Sequence, residues 1–505
     1  MGYTIHLVAR TATGKDGQKL TQLQYYSYHI MVREGNHILQ MRRLFQQFLV
    51  DVYSKIEAER LGFIRREQKT VLADNYGNLR DSLMASDGDP RNVGQRVVLP
   101  ATYTGGPRWM HERQSDAMAY VRCMGRPDFI TMTTNPKWVE VQQNLLPGQE
   151  AHDRPDIIAC VFRQKHKKLM EVLKKRAFGT MRAFLYTIEY QKRGLPHAHI
   201  LIWVAPEDKV KPEKIDMVIS AEIPDKEQDP ELHMMVMAHM IHGPCGNLNQ
   251  NSPCMKDRKC SKDFPKPFLQ STEQGNDSYP KYRCLKPEDG GYTGEIKMCQ
   301  QGKRVVQVVT NQWVVPYNPL LLRQFNCHIN VEICSSIKSI RYITKCVTKG
   351  TDQAVFELQR ANEEAGNRQV DEVAKFQNAR YVGSSEAVWR ILEHPISEHF
   401  PPVIGLAVHL ENGQRVYFNM DNAIQRAERP PPATTLTAFF DLCNHDDFAK
   451  TLKYHEVPEY YTWDKTHKKW TRRKRGEVVV EGPHAIRTTP AIGRIYSISP
   501  RQGRL

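Results

Sequence analysis

From residue 38 to about residue 68, apolar side chains recur at helical spacing: Leu39, Met41, Leu44, Phe45, Phe48, Leu49, Val52, Ile56 and Leu61. The pattern predicts one long amphipathic helix, or two. Residues 75–115 are rich in Gly, Asp, Asn and Pro and read as loop. The period then changes. Residues 128–134 are β-branched and stop at Asn135-Pro136, which predicts a strand. Residues 156–178 suit a helix coated by Lys165, Lys167, Lys168, Lys174, Lys175 and Arg176. Residues 183–190 form a second predicted strand, 191–196 a turn, and 197–203 a third strand. Strand, helix, strand, turn, strand predicts an α+β domain with a largely antiparallel sheet.

Outside that block the pattern is weaker. Residues 1–35 read as a strand-rich stretch without a clear start signal. Residues 205–312 look like an insertion, rich in Lys, Asp, Pro and Gly. The compact fold resumes at residues 313–317 and runs through a helix ending near residue 350. A charged helix is expected at about 353–377 and a strand pair around 403–419. These boundaries give three segments: a helical N-terminal extension (1–115), a central domain with its insertion (116–350), and a C-terminal extension (351–505). No internal repeat and no Gly-x4-Gly-Lys-Ser/Thr phosphate loop occurs.

Charge narrows the partner. Of 505 residues, 71 are Lys or Arg and 56 are Asp or Glu, a formal surplus of +15 that favours a polyanion. No apolar run reaches the roughly 18 residues a membrane helix needs. The start of the chain has no signal-peptide pattern. Eleven scattered cysteines, an odd number, argue against a disulfide framework and for a reducing compartment.

Three constellations carry candidate chemistry. On a strand, residues i and i+2 face the same way, so His197 and His199 converge while Ala198, Ile200 and Ile202 face apolar packing. If residues 190–196 connect a hairpin, Glu189 lies opposite His197. Two imidazoles and a carboxylate can hold a divalent ion with positions open for a substrate oxygen. A two-His-one-carboxylate iron oxygenase has the same donors, but the surplus of positive charge disfavours it.

In residues 333–349, Ile333, Ile337, Ile340, Ile343 and Val347 make one helical stripe, and Lys338, Arg341, Lys345 and Lys349 the opposite one. Tyr342 sits beside the basic stripe, where positive charge eases its phenol toward phenolate. It is either a nucleophile toward a phosphodiester or an exposed ring that stacks on a base.

The third constellation is His242, Cys245, Cys254 and Cys260, spaced His-x2-Cys-x8-Cys-x5-Cys. Four such ligands within nineteen residues can hold structural Zn²⁺ in a segment too polar to build its own core. The other reading is a reduced-cysteine surface without metal, and His239 is a rival ligand. Arg108, Lys137 and the basic run 465–475, with Trp470 inside it, are candidate DNA contacts. That run also resembles a nuclear import signal.

Together these elements resemble the HUH endonuclease (Rep) domain of Helitron rolling-circle transposases. The resemblance is carried by Leu44-Phe-Gln-Gln-Phe-Leu-Val-Asp51, Thr104-Gly-Gly-Pro-Arg108, Phe129-Ile-Thr-Met-Thr-Thr-Asn-Pro-Lys-Trp138 and Gly194-Leu-Pro-His-Ala-His-Ile200. Met240-Ile-His-Gly-Pro-Cys-Gly246, Val314-Val-Pro-Tyr-Asn-Pro-Leu320 and the stretch from Tyr342 to Gly350 extend it. It implies an HUH-type antiparallel sheet flanked by helices. It also implies Mg²⁺ or Mn²⁺ on His197, His199 and an acidic third ligand matched by Glu189.

The implied activity is cutting of single-stranded DNA by Tyr342, leaving a 5′-phosphotyrosine bond and a free 3′-hydroxyl. The family spaces a second tyrosine four residues on, where this chain has Cys346. Nicking and religation by Tyr342, with Lys345 beside it, are therefore expected to survive while full transposition fails. A catalytically impaired remnant that only binds DNA is the alternative. Family members normally continue into a Pif1-like helicase, which this chain lacks, so it is expected to be a fragment or a decayed copy. A nuclear location is implied.

Overall fold

A computed structural model describes residues 20–67, 72–75, 99–175, 177–190, 194–243, 245–246, 249–273, 280–300, 303–334, 372–378, 380–418, 422–473 and 486–490. The chain forms two compact units, each assembled from separated stretches. The first takes residues 1–56, 126–352 and 382–399; the second takes 57–125, 353–381 and 400–505. In chain order the strands are β1 (Leu72–Asn75), β2 (Asp128–Thr133), β3 (Met181–Tyr190), β4 (Pro196–Val204), β5 (Met255–Lys256), β6 (Lys259–Cys260), β7 (Gly294–Gln300) and β8 (Lys303–Val309). They continue with β9 (Ile329–Ile333), β10 (Ser397–Phe400), β11 (Ile404–Val408), β12 (Arg415–Phe418), β13 (Tyr461–Asp464), β14 (Lys469–Arg472) and β15 (Ile486–Pro490).

The first unit is organised by a five-stranded sheet in the order β10-β3-β4-β2-β9. The pairs β3–β4, β4–β2 and β2–β9 are antiparallel, as the alternation of the sequence predicts. Strand periodicity then sorts the side chains. Ala198, Ile200 and Ile202 share a face with Ile130, Met132, Tyr186, Ile188, Ile329 and Val331, and all of these are buried.

Helix Pro155–Lys174 covers that face. Its proline stands at the first turn, where no amide partner is lost, and its buried residues Ile158, Phe162, Leu169 and Leu173 form one stripe. Its His166 ring lies 4.4 Å from the Tyr186 ring, and Phe162 lies 6.1 Å from Trp389 of helix Ser384–Ile391. The opposite face of the same strands carries Thr187 and Glu189, His199 and His197, Thr131 and Thr133, and Asn330. Farther along the second face Leu185, Leu201 and Trp203 are buried as well, so its polar residues stand at one end of a packed surface.

The connection from β4 to β9 is the expected insertion. It holds helix Pro230–His239 and the hairpins β5–β6 and β7–β8. It has more apolar packing than its composition suggests, for Ile219, Ile223, Val236, Met240, Val314 and Tyr317 are buried. Polar side chains knit the rest. Glu222 accepts from the Arg283 guanidinium at 2.6 Å and from the Leu285 amide at 3.0 Å.

Several sequence expectations need correction. Residues 22–29 are a helix and not strand; Thr21 and Gln24 cap it reciprocally. Helix Pro107–Met124 occupies part of the expected loop. Residues 313–317, where the compact fold is expected to resume, do contribute buried Trp313, Val314 and Tyr317, as the end of a short 3₁₀ turn followed by isolated bridges. Ile333 closes β9 and does not open a helix.

In the second unit Leu406, Phe439, Tyr454, Val457, Tyr461 and Trp470 form a buried core. The expected strand pair at 403–419 does not form. β11 runs parallel to β15, and β12 pairs antiparallel with β1. β13 and β14 make a hairpin from the basic run.

Candidate active site and metal centres

The β3–β4 register places Glu189 opposite His197 and Thr187 opposite His199. Glu189 Oε2 lies 3.5 Å from His199 Nε2, and Glu189 Oε1 is buried with no hydrogen-bond partner. His197 donates from Nδ1 to the Leu195 carbonyl at 2.9 Å, which leaves Nε2 as the lone-pair nitrogen. Burial, together with His199 and His328 nearby, pushes its pKa down to about 4, so the ring is neutral at pH 7. A neutral, oriented imidazole is the form that binds a metal.

His199 is held on both sides. Its Nδ1 shares a hydrogen bond with Thr131 Oγ1 at 3.2 Å, and its ring stacks on Phe129 at 5.8 Å and 7°. Two imidazoles thus share a face with a carboxylate whose second oxygen is a buried acceptor without a donor, and the carboxylate lies 3.5 Å from one of them.

Other residues of this face carry no motif. Thr187 is 2% exposed, and its hydroxyl lacks a partner. Asn330 donates to Glu332 at 2.9 Å while its own Oδ1 is unpartnered. His328 takes a hydrogen bond on its carbonyl from the Thr133 amide at 2.9 Å. From Nδ1 it donates to the His239 carbonyl at 2.8 Å. The alternation of Thr131 and Thr133 in register with the histidines was the available signal for the threonines. His328 and Asn330 reach the face only through the pairing of β9 with β2, which the sequence does not disclose.

The second cluster is compact. One ligand atom each from His242, Cys245, Cys254 and Cys260 lies within 4.8 Å of all the others. This set can hold a metal ion such as zinc. Gly243, at φ +83°, turns the chain between His242 and Cys245; a Cβ there would meet the Cys245 amide nitrogen at 2.8 Å. Cys254 and Cys260 flank the β5–β6 hairpin, whose Asp257 and Arg258 both adopt positive φ, as a two-residue turn requires.

Burial opposes ionisation of Cys260, but the amide groups of Phe264 and Lys262 outweigh it and hold its thiol below the usual range. Cys245 is pushed up to about 12 by burial and by the neighbouring thiols. His242 stacks on Phe264 at 4.1 Å, and Phe264 stacks in turn on Trp313. The rival ligand His239 is engaged elsewhere, its Nε2 being 2.8 Å from Asn326 Oδ1.

A family model described as the Helitron helicase-like domain at the N-terminus matches residues 25–202. That stretch of the chain is similar to the Helitron helicase-like N-terminal domain. The matched stretch contains Glu189, His197 and His199. No curated protein matches the chain. No helix among the described residues is long and apolar enough to cross a membrane.

The remaining candidates differ in what can be said of them. Tyr342, Lys345, Cys346, Lys338, Arg341 and Lys349 lie outside the described residues. Lys137 is exposed on the loop after β2, near the strand end that carries Thr133 opposite His197. Two expected DNA contacts are corrected. The Arg108 guanidinium is committed to Glu372, at 3.0 Å from Nε and 2.7 Å from Nη2. Trp470 is 6% exposed and donates to the Thr435 carbonyl at 3.0 Å, so it has no open ring face for a base. Alternation in β14 turns it inward while Lys469 and Thr471 face solvent.

Proposed function

We propose that this chain is a metal-dependent nicking and strand-transfer protein for single-stranded DNA. In this reading it acts in the nucleus through a 5′-phosphotyrosine bond to Tyr342. One observation carries the reading: His197, His199 and Glu189 share one face of the sheet, with Glu189 opposite His197, its Oε2 3.5 Å from His199 Nε2 and its Oε1 buried and unpartnered. A Mg²⁺ or Mn²⁺ ion bound there would polarise the scissile phosphate as a Lewis acid.

The residues of the chain do the rest. The Tyr342 oxygen attacks phosphorus, the 3′-oxygen leaves and takes up a proton, and the DNA 5′-end stays on the protein. Lys345 and Arg341, close to Tyr342 in the sequence, favour its phenolate. The free 3′-hydroxyl reverses the step on religation. Cys346, standing where the family spaces a second tyrosine, removes the usual hand-over between two strands. The Cys/His cluster is read as a structural zinc site that fixes the insertion beside the sheet.

The deciding experiment incubates the protein with end-labelled oligonucleotides and Mn²⁺. A covalent protein–DNA adduct, absent in Tyr342→Phe, is the expected result. DNA binding with no adduct under any divalent ion would leave a remnant that only binds DNA.

A further inference from the structure

The segment from Lys256 to Lys266 contains five cations and two carboxylates in eleven residues: Lys256, Arg258, Lys259, Lys262 and Lys266 against Asp257 and Asp263. Lys256, Arg258, Lys259 and Lys262 are exposed. The first three decorate the β5–β6 hairpin and its two-residue turn. The metal-type cluster fixes the other two. The Lys262 amide donates to Cys260 Sγ, and the Lys266 ammonium lies 4.9 Å from the centre of the Phe264 ring that stacks on His242. The Lys266 amide donates to the Gln312 carbonyl at 2.9 Å and the Gln312 side-chain amide donates back to the Lys266 carbonyl at 2.8 Å, which ties the strip down further.

This strip is tied to the histidine face through His328. Its carbonyl accepts from the amide of Thr133, which stands opposite His197, and its Nδ1 donates to the carbonyl of His239, just ahead of His242 in the chain. A row of fixed cations next to a candidate phosphodiester site has one natural occupant.

We propose that the Cys/His knuckle is a clamp for the phosphates of single-stranded DNA, leading the strand onto the His197–His199 face. The proposal rests on the reading of the substrate given above. Cations spaced along a hairpin track a backbone and carry no base readout, so the clamp is indifferent to sequence.

The test measures binding of fluorescein-labelled oligothymidine against salt, without Mg²⁺ or Mn²⁺, so that no cleavage enters. For single strands each lost phosphate contact lowers the slope of log affinity against log salt by about 0.7. The Lys256→Gln/Arg258→Gln/Lys259→Gln protein should therefore lose about 2 from that slope, with affinity down about tenfold or more near 0.1 M salt. Lys259→Arg and Lys262→Arg should bind as the parent does. Lys262→Gln/Lys266→Gln, which leaves the turn intact, is the second variant should the first release its metal. An unchanged slope in both Gln variants overturns the clamp. A reduced slope with no adduct ever formed leaves the clamp and removes the nuclease; an adduct with an unchanged slope does the reverse.

Discussion

His197, His199 and Glu189 stand on strands whose other face is packed against helix Pro155–Lys174, so the sheet holds them in place whether or not a metal is bound. His242, Cys245, Cys254 and Cys260 stand on a turn and a hairpin of two-residue strands, with a few stacked rings for support. In the proposed reading the first arrangement is pre-organised and would need an ion only for reaction. The second would rely on a bound ion more heavily, because less regular structure holds its three sulfurs and imidazole together. Donors of similar type thus serve different ends, and what separates them is how much of the surrounding fold exists without them.

That contrast can be broken at either pole. The largest effect is expected at the knuckle. Cys260→Ser should abolish stoichiometric metal binding, an apparent loss on the order of 10 kcal/mol for a structural zinc, and should lower the melting temperature. Chelation should do the same to the parent protein. Metal analysis and calorimetry check this, and unchanged melting after complete metal removal would refute the structural role.

His197→Ala should behave oppositely. Adduct formation should fall by about 10²–10³-fold while the melting temperature drops by only a few degrees. Equal loss of folding and activity would erase the distinction between the two centres.

A smaller effect tests the packed side of the sheet. Burial lowers the His166 pKa to about 4, against an ordinary value of 6.5. Between those values the unfolded chain takes up a proton that the folded chain refuses. Stability from this group is therefore complete above about pH 6.5 and is lost as pH falls toward 4, by about 3 kcal/mol. His166→Leu should flatten the acid limb of a melting-temperature profile relative to the parent. A profile of unchanged slope would show that the imidazole is not sealed behind the helix.

Local elements were largely legible in the sequence. The helix at 156–178 and the strands at 128–134, 183–190 and 197–203 are observed at Pro155–Lys174, Asp128–Thr133, Met181–Tyr190 and Pro196–Val204. The turn between the last two strands sets the register, so Glu189 opposite His197 could be derived from spacing. Partner choice was not legible. Nothing within β11 or β12 says that the first pairs with β15 and the second with β1, because that depends on residues far along the chain. The helix at Gln22–His29 was readable, since Thr21-Gln-Leu-Gln24 is a capping signal, but its weak amphipathic pattern concealed it. Trp470 shows the converse. A basic run suggests solvent, yet the strand turns Trp470 into the core while Lys469, Thr471 and Arg472 stay exposed.

The sheet of the first unit has an edge supplied late in the chain. β10 flanks β3, the Ile188 amide donates to the Ile396 carbonyl at 2.8 Å, and Trp389 packs against Phe162. Anyone trimming the protein to a minimal catalytic piece must therefore keep residues 382–399. A fragment ended at residue 350 would leave β3 as a raw border with unpaired amides and strip the tryptophan from its helix. Such a piece would tend to aggregate, and its inactivity would say nothing about His197 or Tyr342.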